Sequence, residues 1–322
     1  MDHLNTDAAE PIDRSSILAA QQRIAGDIRR TPLWRLPGAA LGLPCAEVWL
    51  KLEHLQVSGS FKARGMFNRL RSLPVPGAGV IIASGGNAGI AVATAAQALG
   101  VACEVFLPAL SSPAKRARLA ELGARVVDGG ETYAEAYAAC LQRQAASGAL
   151  LMHAYDQPEV VAGAGTLAAE IEQDAGLPDR LLVSVGGGGL IAGIAAWLGD
   201  RCRVEALEPV GSPTLHAARA AGAPMDVAVS GLAADALGAR RIGHIAWQLN
   251  DRLAAAHLLP EADIALAQRR LWDDFRLAVE PAAALPLAAL WSGLVRPRAH
   301  ERVAVVVCGA NLDPASLSPG TL

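Results

Sequence analysis

Short apolar runs in this chain end repeatedly in glycine, and each is followed by a stretch with helical spacing. Residues 80–83 run into Ser84-Gly85-Gly86-Asn87 and the helical pattern 88–99. Residues 181–185 run into Gly186-Gly187-Gly188-Gly189 and the pattern 190–198. Strands are also expected at 47–52, 102–107, 125–128, 204–207 and 303–308. Helices are expected at 131–146 and 163–173, and from Pro113 to Leu122, where Ser112 caps and proline occupies the first turn. Helices are expected to fill most of 233–294. Alternation of this kind requires helical crossovers between parallel strands, giving sheets covered on both faces. Ligands of such sheets bind beyond the strand C-termini, where these glycine turns stand.

Composition removes several function classes. Charged residues are 18% and hydrophobic residues 52%, a balance that folds compactly and is far from disorder. The net charge of −3 argues against a nucleic-acid partner, and the short clusters at Arg69/Arg71 and Arg240/Arg241 read as solvated surface. The five cysteines are odd in number and contain no CxxC pair, which speaks against a disulfide framework or a zinc site. No apolar stretch approaches the roughly 20 residues of a membrane span. The N-terminus, with Asp2, Asp7, Glu10 and Asp13, has no apolar run of the signal-peptide kind. A cytoplasmic protein is expected. The 322 residues suffice for two α/β domains with a cleft between them.

Two features point to chemistry. Four consecutive glycines between a strand and a helix suit a phosphate, because bare backbone N–H groups can approach it and the helix dipole favours it. That phosphate could belong to a dinucleotide: Gly187, Gly189 and Ala192 fit GxGxxA, with Glu205 or Glu208 as ribose acids, which would make the protein a nicotinamide-dependent oxidoreductase. The second feature is Lys62. Of 28 basic residues only Lys51, Lys62 and Lys115 are lysine, and lysine is the side chain whose amine can lose its proton and condense with an aldehyde.

Lys62 lies in Gly59-Ser60-Phe61-Lys62-Ala63-Arg64-Gly65. Together with Ser84-Gly85-Gly86-Asn87-Ala88-Gly89, Gly186–Gly189 followed by Leu190, and Cys308-Gly309-Ala310-Asn311, this segment resembles the fold type II family of pyridoxal-phosphate enzymes. The resemblance is to its serine/threonine dehydratase (ammonia-lyase) branch, with the motifs in the family's order across nearly the whole chain. It implies two open, twisted, mostly parallel sheets flanked by helices: a large cofactor domain (1–76 and 157–322) and a smaller one (77–156). It also implies pyridoxal 5′-phosphate as cofactor.

On that resemblance Lys62 holds the cofactor covalently and then removes the substrate α-proton. Phe61 packs beside the ring and Asn87 bonds its hydroxyl. Gly186, Gly187, Gly188, Gly189 and Leu190 cradle the phosphate, Cys308 faces the ring nitrogen, and Glu280 lies near the ring with a partner the sequence does not reveal. Ser84, Gly85, Asn87 and Ala88 receive the substrate carboxylate, and Ala234 borders the substrate. Read alone, Ser84 and Asn87 are capping residues. Glu208, with the carbonyls of Ser212 and Thr214, matches the segment where relatives bind a cation, here expected to be a monovalent ion such as K+. Gly85 stands where racemases of the family carry a second base, so elimination is expected rather than racemisation. The expected reaction takes L-serine or L-threonine to pyruvate or 2-oxobutanoate. The room expected at a glycine keeps a larger β-hydroxy amino acid, such as hydroxyaspartate or phenylserine, as the alternative. A homodimer is expected, as is common in the family.

Overall fold

The computed structural model describes residues 12–317. The acidic stretch carrying Asp2, Asp7 and Glu10 lies outside them. Ten strands are described: β1 (Leu33–Pro37), β2 (Glu47–Lys51), β3 (Val80–Ala83), β4 (Cys103–Leu107), β5 (Arg125–Asp128), β6 (Leu150–Leu151), β7 (Arg180–Ser184), β8 (Arg203–Pro209), β9 (Ala255–Leu259) and β10 (Arg302–Val306). Six of them form one sheet in the order β1-β2-β10-β7-β8-β9, and four form a second in the order β5-β4-β3-β6. Every pairing is parallel except β1 with β2. The fold is thus the mostly parallel α/β architecture that the alternation requires, in the two sheets that the resemblance implies.

The helices are α1 (Arg14–Ile24), α2 (Lys62–Ser72), α3 (Asn87–Leu99), α4 (Pro113–Glu121), α5 (Tyr133–Ser147), α6 (Pro158–Ala175), α7 (Gly189–Leu198), α8 (Thr214–Ala221), α9 (His244–Gln248), α10 (Glu261–Phe275) and α11 (Pro281–Trp291). Ser112 caps α4 with Pro113 in its first turn, as expected. In the smaller sheet, β3 shows why a short apolar run makes a central strand. Val80 and Ile82 enter one core, Ile81 and Ala83 the other, so the strand is buried on both faces. The larger core gathers around β7, β8, β10, α7 and α11.

Three differences from the sequence expectation matter. The region 233–294 is helical over about half its length rather than most of it: it contains the edge strand β9, and its first ten residues are irregular. The edge strand β1 and the helix α2 had no counterpart in the pattern. Helix α2 is the consequential one, because Lys62 is its first residue rather than part of a loop.

Helix α2 is fixed from below by a buried charge cluster. Arg64 uses all five guanidinium N–H groups: two to Glu53 at 2.8 and 2.7 Å, two to Glu170 at 2.7 and 2.8 Å, and one to Thr166 Oγ1 at 3.0 Å. Lys51 Nζ donates to Glu170 Oε2 at 2.6 Å and to the Thr31 carbonyl at 2.8 Å. Thr31 Oγ1 closes the cluster onto Glu53. Lys51, Glu53 and Arg64 are fully shielded from solvent, so two cations meet two carboxylates away from water. The pairing holds the Glu53 carboxyl below its usual range despite burial, and raises Arg64 further. Removing one partner strands the others. Arg64→Met should therefore lower unfolding free energy by about 3–5 kcal/mol, measured by urea denaturation; a loss below about 1 kcal/mol would contradict this account.

Candidate active site

Lys62 sits one residue after Phe61, which precedes α2 as its N-cap. The Phe61 N–H donates to the Cys308 carbonyl at 3.0 Å, and Ala310 N donates to the Gly59 carbonyl at 2.9 Å. Ser60 and Gly309 form an antiparallel bridge between these bonds. The segments Gly59–Phe61 and Cys308–Ala310, 249 positions apart in sequence, are therefore laced together as a short ladder beyond the C-terminal end of β10. This places the buried Cys308 and the half-buried Lys62 on one wall.

The Lys62 amine donates to the Ala154 carbonyl at 2.6 Å, and its Nζ stands 5.1 Å from the Phe61 ring centre. A local turn presents that carbonyl. His153 Nδ1 accepts the N–H groups of Asp156 (3.0 Å) and Tyr155 (3.4 Å). Burial holds the His153 imidazole at about 4, well below its ordinary value, so it stays neutral and can accept. Lys51 and Lys115 are each committed to a carboxylate, Glu170 and Asp235 respectively. Lys62 has no ion-pair partner among the described residues, and burial lowers it to about 8, with Cys308 and Glu280 opposing the shift.

Glu280 is the N-cap residue of α11, but its side chain does not cap that helix. Its Oε1 instead accepts from Asn87 Nδ2 at 2.7 Å, which supplies the partner the sequence could not name. Burial raises Glu280 to about 7. Asn87 Oδ1 in turn accepts from Asn311 Nδ2 at 2.6 Å. The capping expectation for Ser84 and Asn87 is corrected. Gly86 is the N-cap of α3 and offers no side-chain bond, while Asn87 is the first helical residue and turns towards Glu280. The first N–H groups of α3 are thus left uncapped by a side chain beside Ser84 and Gly85.

The four glycines sit between β7 and α7, which starts at Gly189 with Gly188 as an N-cap at φ 86° and again no side-chain cap. The loop's carbonyls are held: Thr214 Oγ1 donates to the Gly186 carbonyl at 2.5 Å, and Gly243 N donates to that of Gly187 at 3.0 Å. Its absent side chains matter for packing as well as for an anion. A Cβ on Gly187 would collide with the Tyr155 ring, and one on Gly189 would lie 2.6 Å from the Tyr155 carbonyl oxygen. An anion at the start of α7 would meet unpartnered N–H groups and the positive end of the helix dipole.

Phe61, Lys62, Asn87, the four glycines, Leu190, Glu280 and Cys308 line one cleft of about 450 Å³, together with Tyr155, Ser184, Ala236, Leu237 and Ala282. Ser84, Gly85, Ala88 and Ala234 are not on that wall; Ala236 and Leu237 represent the last segment instead. Sequence reading missed Tyr155 and Ala154, whose positions carry no glycine or charge to mark them. The space expected at Gly85 is not open. A Cβ there would lie 2.8 Å from Leu107 Cδ2, so the Leu107 side chain fills it. Glu208 is buried behind the glycine loop and accepts from Leu215 N (2.7 Å) and His216 N (2.8 Å), with Thr214 Oγ1, whose proton is on the Gly186 carbonyl, 3.1 Å away. It therefore meets the Thr214 hydroxyl rather than its carbonyl.

The acids needed for a dinucleotide are committed elsewhere. Glu205 binds Arg180 at 2.6 Å and His257 at 2.9 Å, and Glu208 is fully buried under α8. What remains is a lysine amine of lowered basicity in a cleft with two uncapped helix N-termini. A family profile described as "Pyridoxal-phosphate dependent enzyme" matches residues 24–309. The chain belongs to this family. It is 37% identical over 312 residues to an L-threonine ammonia-lyase of Geobacter sulfurreducens, covering 94% of this chain and 76% of that one. It is 33% identical to a phenylserine dehydratase of Ralstonia pickettii, covering 95% of both. Among solved structures, a threonine deaminase of T.th. superposes with a TM-score of 0.86 at 32% identity, covering 94% of this chain and 99% of that one. Maize serine racemase superposes with a TM-score of 0.88 at 27% identity, covering 95% of both.

Pyridoxal phosphate fits these residues: the glycine loop lines the cleft and opens α7 without a side-chain cap, which leaves N–H donors for a phosphate, and Lys62 is an amine able to condense with its aldehyde. That condensation needs the neutral amine. The rate at which cofactor-free protein takes up pyridoxal phosphate should rise with pH and level off above about 8. A rate still climbing tenfold per pH unit at pH 9–10 would show an ordinary lysine instead.

Proposed function

We propose that this enzyme is a lyase that removes water and then ammonia from L-threonine or L-serine, leaving 2-oxobutanoate or pyruvate. The observation that carries the reading is the placement of Lys62: a half-buried amine, unpaired with any carboxylate, between the uncapped N-termini of α3 and α7. The two helix ends suit two anions, a phosphate at Gly186–Gly189 and the substrate carboxylate at Ser84–Ala88. Lys62 lines the same cleft as Asn87, the first residue of α3, and the glycine loop before α7. Relatives named for threonine and phenylserine support the reaction type.

Lys62 Nζ takes the α-proton, the bond from Cβ to the hydroxyl breaks, and a double bond forms between Cα and Cβ. The proton and the hydroxyl together make one water. Water then adds to the released enamine, which gives ammonia and the 2-oxo acid. The cofactor, when bound, withdraws the electron pair left at Cα. Cys308 is held far above the ordinary thiol range by burial and stays a neutral thiol. Opposite a ring nitrogen such a group does not supply the charge that would protonate it, which favours prompt loss of a β-substituent. Gly85 offers no side chain to return a proton to the opposite face, so racemisation should be slow.

A second reading is supported by one relative: the chain is 33% identical to a phenylserine dehydratase over 323 residues. Phenylserine is therefore kept as an alternative substrate, without appeal to room at Gly85. Three further assignments belong to the same proposal. A monovalent cation such as K+ at Glu208, Ser212 and Thr214 is supported by the buried Ser212 hydroxyl, which has no partner among the described residues, four positions after the buried Glu208. The two sheets support a large domain of 1–76 with 157–322 and a smaller one of 77–156. A cytoplasmic setting is supported by five cysteines that are all buried and free. No helix among the described residues is long and apolar enough to cross a membrane.

The reading is checked by 2-oxo acid release from a panel of serine, threonine, phenylserine and hydroxyaspartate, with and without Lys62→Ala. Threonine or serine should lead the panel, and Lys62→Ala should lose at least about a thousandfold in turnover, the scale of a missing general base that also anchors the cofactor. Phenylserine leading by more than tenfold would select the alternative, and no release from any member would overturn both.

A further inference from the structure

We propose that Asn311 is a positioning residue that fixes which atom of the Asn87 amide faces the cofactor. The proposal rests on reading Asn87 as a cofactor contact. Asn87 heads α3 beside the smaller sheet, whereas Asn311 and Glu280 follow and precede elements of the larger one. The three side chains form a relay across the cleft. Asn311 Nδ2 donates to the Ser58 carbonyl at 3.0 Å and to Asn87 Oδ1 at 2.6 Å, and Asn87 Nδ2 donates to Glu280 Oε1 at 2.7 Å.

Chemistry sets the direction of this relay. A backbone carbonyl can only accept, so Asn311 must turn its NH2 group towards Ser58. Its second N–H then points at Asn87, which must answer with its oxygen. The Asn87 NH2 group is left on the far side, one N–H on the Glu280 carboxyl and the other available to the cleft. An amide held this way offers a donor to a ring oxygen, and turned by half a rotation it would offer a second oxygen and repel it. An ionised Glu280 favours the same orientation, but its carboxyl, raised to about 7 by burial, can also donate once protonated; Asn311 selects that orientation in either state.

The surrounding backbone is shaped to admit the relay. Glu280 N donates to the Gly309 carbonyl at 3.1 Å, which brings the two motifs into contact. A Cβ on Gly59, which lies at φ 75°, would stand 2.5 Å from Asn311 Oδ1, and one on Gly309 would collide with Glu280 Oε1. The glycines beside Ser60 and Cys308 therefore leave the volume that the Asn311 and Glu280 side chains fill.

Asn311→Asp keeps the shape and removes both donors. In the purified holoenzyme without substrate, it should weaken cofactor binding about tenfold or more, the scale of a lost bond to a charged oxygen, and shift the pH titration of the visible absorbance band. Asn87→Ala should weaken binding by a similar factor. In an Asn87→Ala background, Asn311→Asp should add less than about twofold, because the two act through one bond. Additive losses, or an Asn311→Asp protein with parental affinity and titration, would overturn the relay while leaving Asn87 as a contact. An Asn87→Ala protein that binds the cofactor as tightly as the parent would overturn the reading of Asn87 and the relay with it. If Asn311→Asp does not melt cooperatively as cofactor-free protein, Asn311→Ala takes its place in the same cycle, with the same outcomes.

Discussion

The Arg64 guanidinium, saturated by Glu53, Glu170 and Thr166, is the interaction from which the rest of the site is hung. It lies two residues beyond Lys62 on the same helix and joins α2 to α6 and to the turn after β2. A charge in this position is costly to bury, and only complete pairing offsets the cost. What it provides is a single register for the first turn of α2. Glu170 also holds Lys51, so one of the three lysines is consumed as structure to orient another as chemistry.

Around that fixed helix the protein arranges polarity rather than acids. Two helices begin at the cleft without side-chain caps, which leaves their N–H groups for ligands and gives the cleft a positive field without a cation. Burial disfavours protonation of Lys62. A neutral His153 holds the turn that contacts the amine, and a neutral Cys308 closes the opposite end. Glu280, which burial raises to about 7, is the titrating group that shares the cleft with that amine.

Much of this was legible in the sequence. The central strands β3, β7, β8 and β10 are short apolar runs because both their faces are buried, and glycine marks the turns that follow the first two. Edge strands lack that signal. Strand β9 is Ala-Ala-His-Leu-Leu, half-buried for most of its length, and alanine's helical propensity points the wrong way. Helix α2 was hidden because its buried face includes Arg64 and Asn68, polar residues that a periodicity argument places outside. At the site, Lys62, Asn87 and the glycines could be named from motif and chemistry, but their reasons could not. The glycine run reads as a phosphate cradle, yet Gly187 and Gly189 are also required by Tyr155, which is more than 30 residues earlier in the chain. Gly85 reads as empty space and is filled by Leu107. Such facts depend on distant segments meeting, and no local pattern encodes them.

The central claim is that one lysine of three is the covalent anchor. Borohydride reduction of the cofactor-loaded protein, followed by peptide mapping with mass spectrometry, tests it directly. The account predicts a pyridoxyl-phosphate adduct on the peptide carrying Lys62 and none on those carrying Lys51 or Lys115. An adduct on either of the other lysines, or no stable adduct at all, would contradict it.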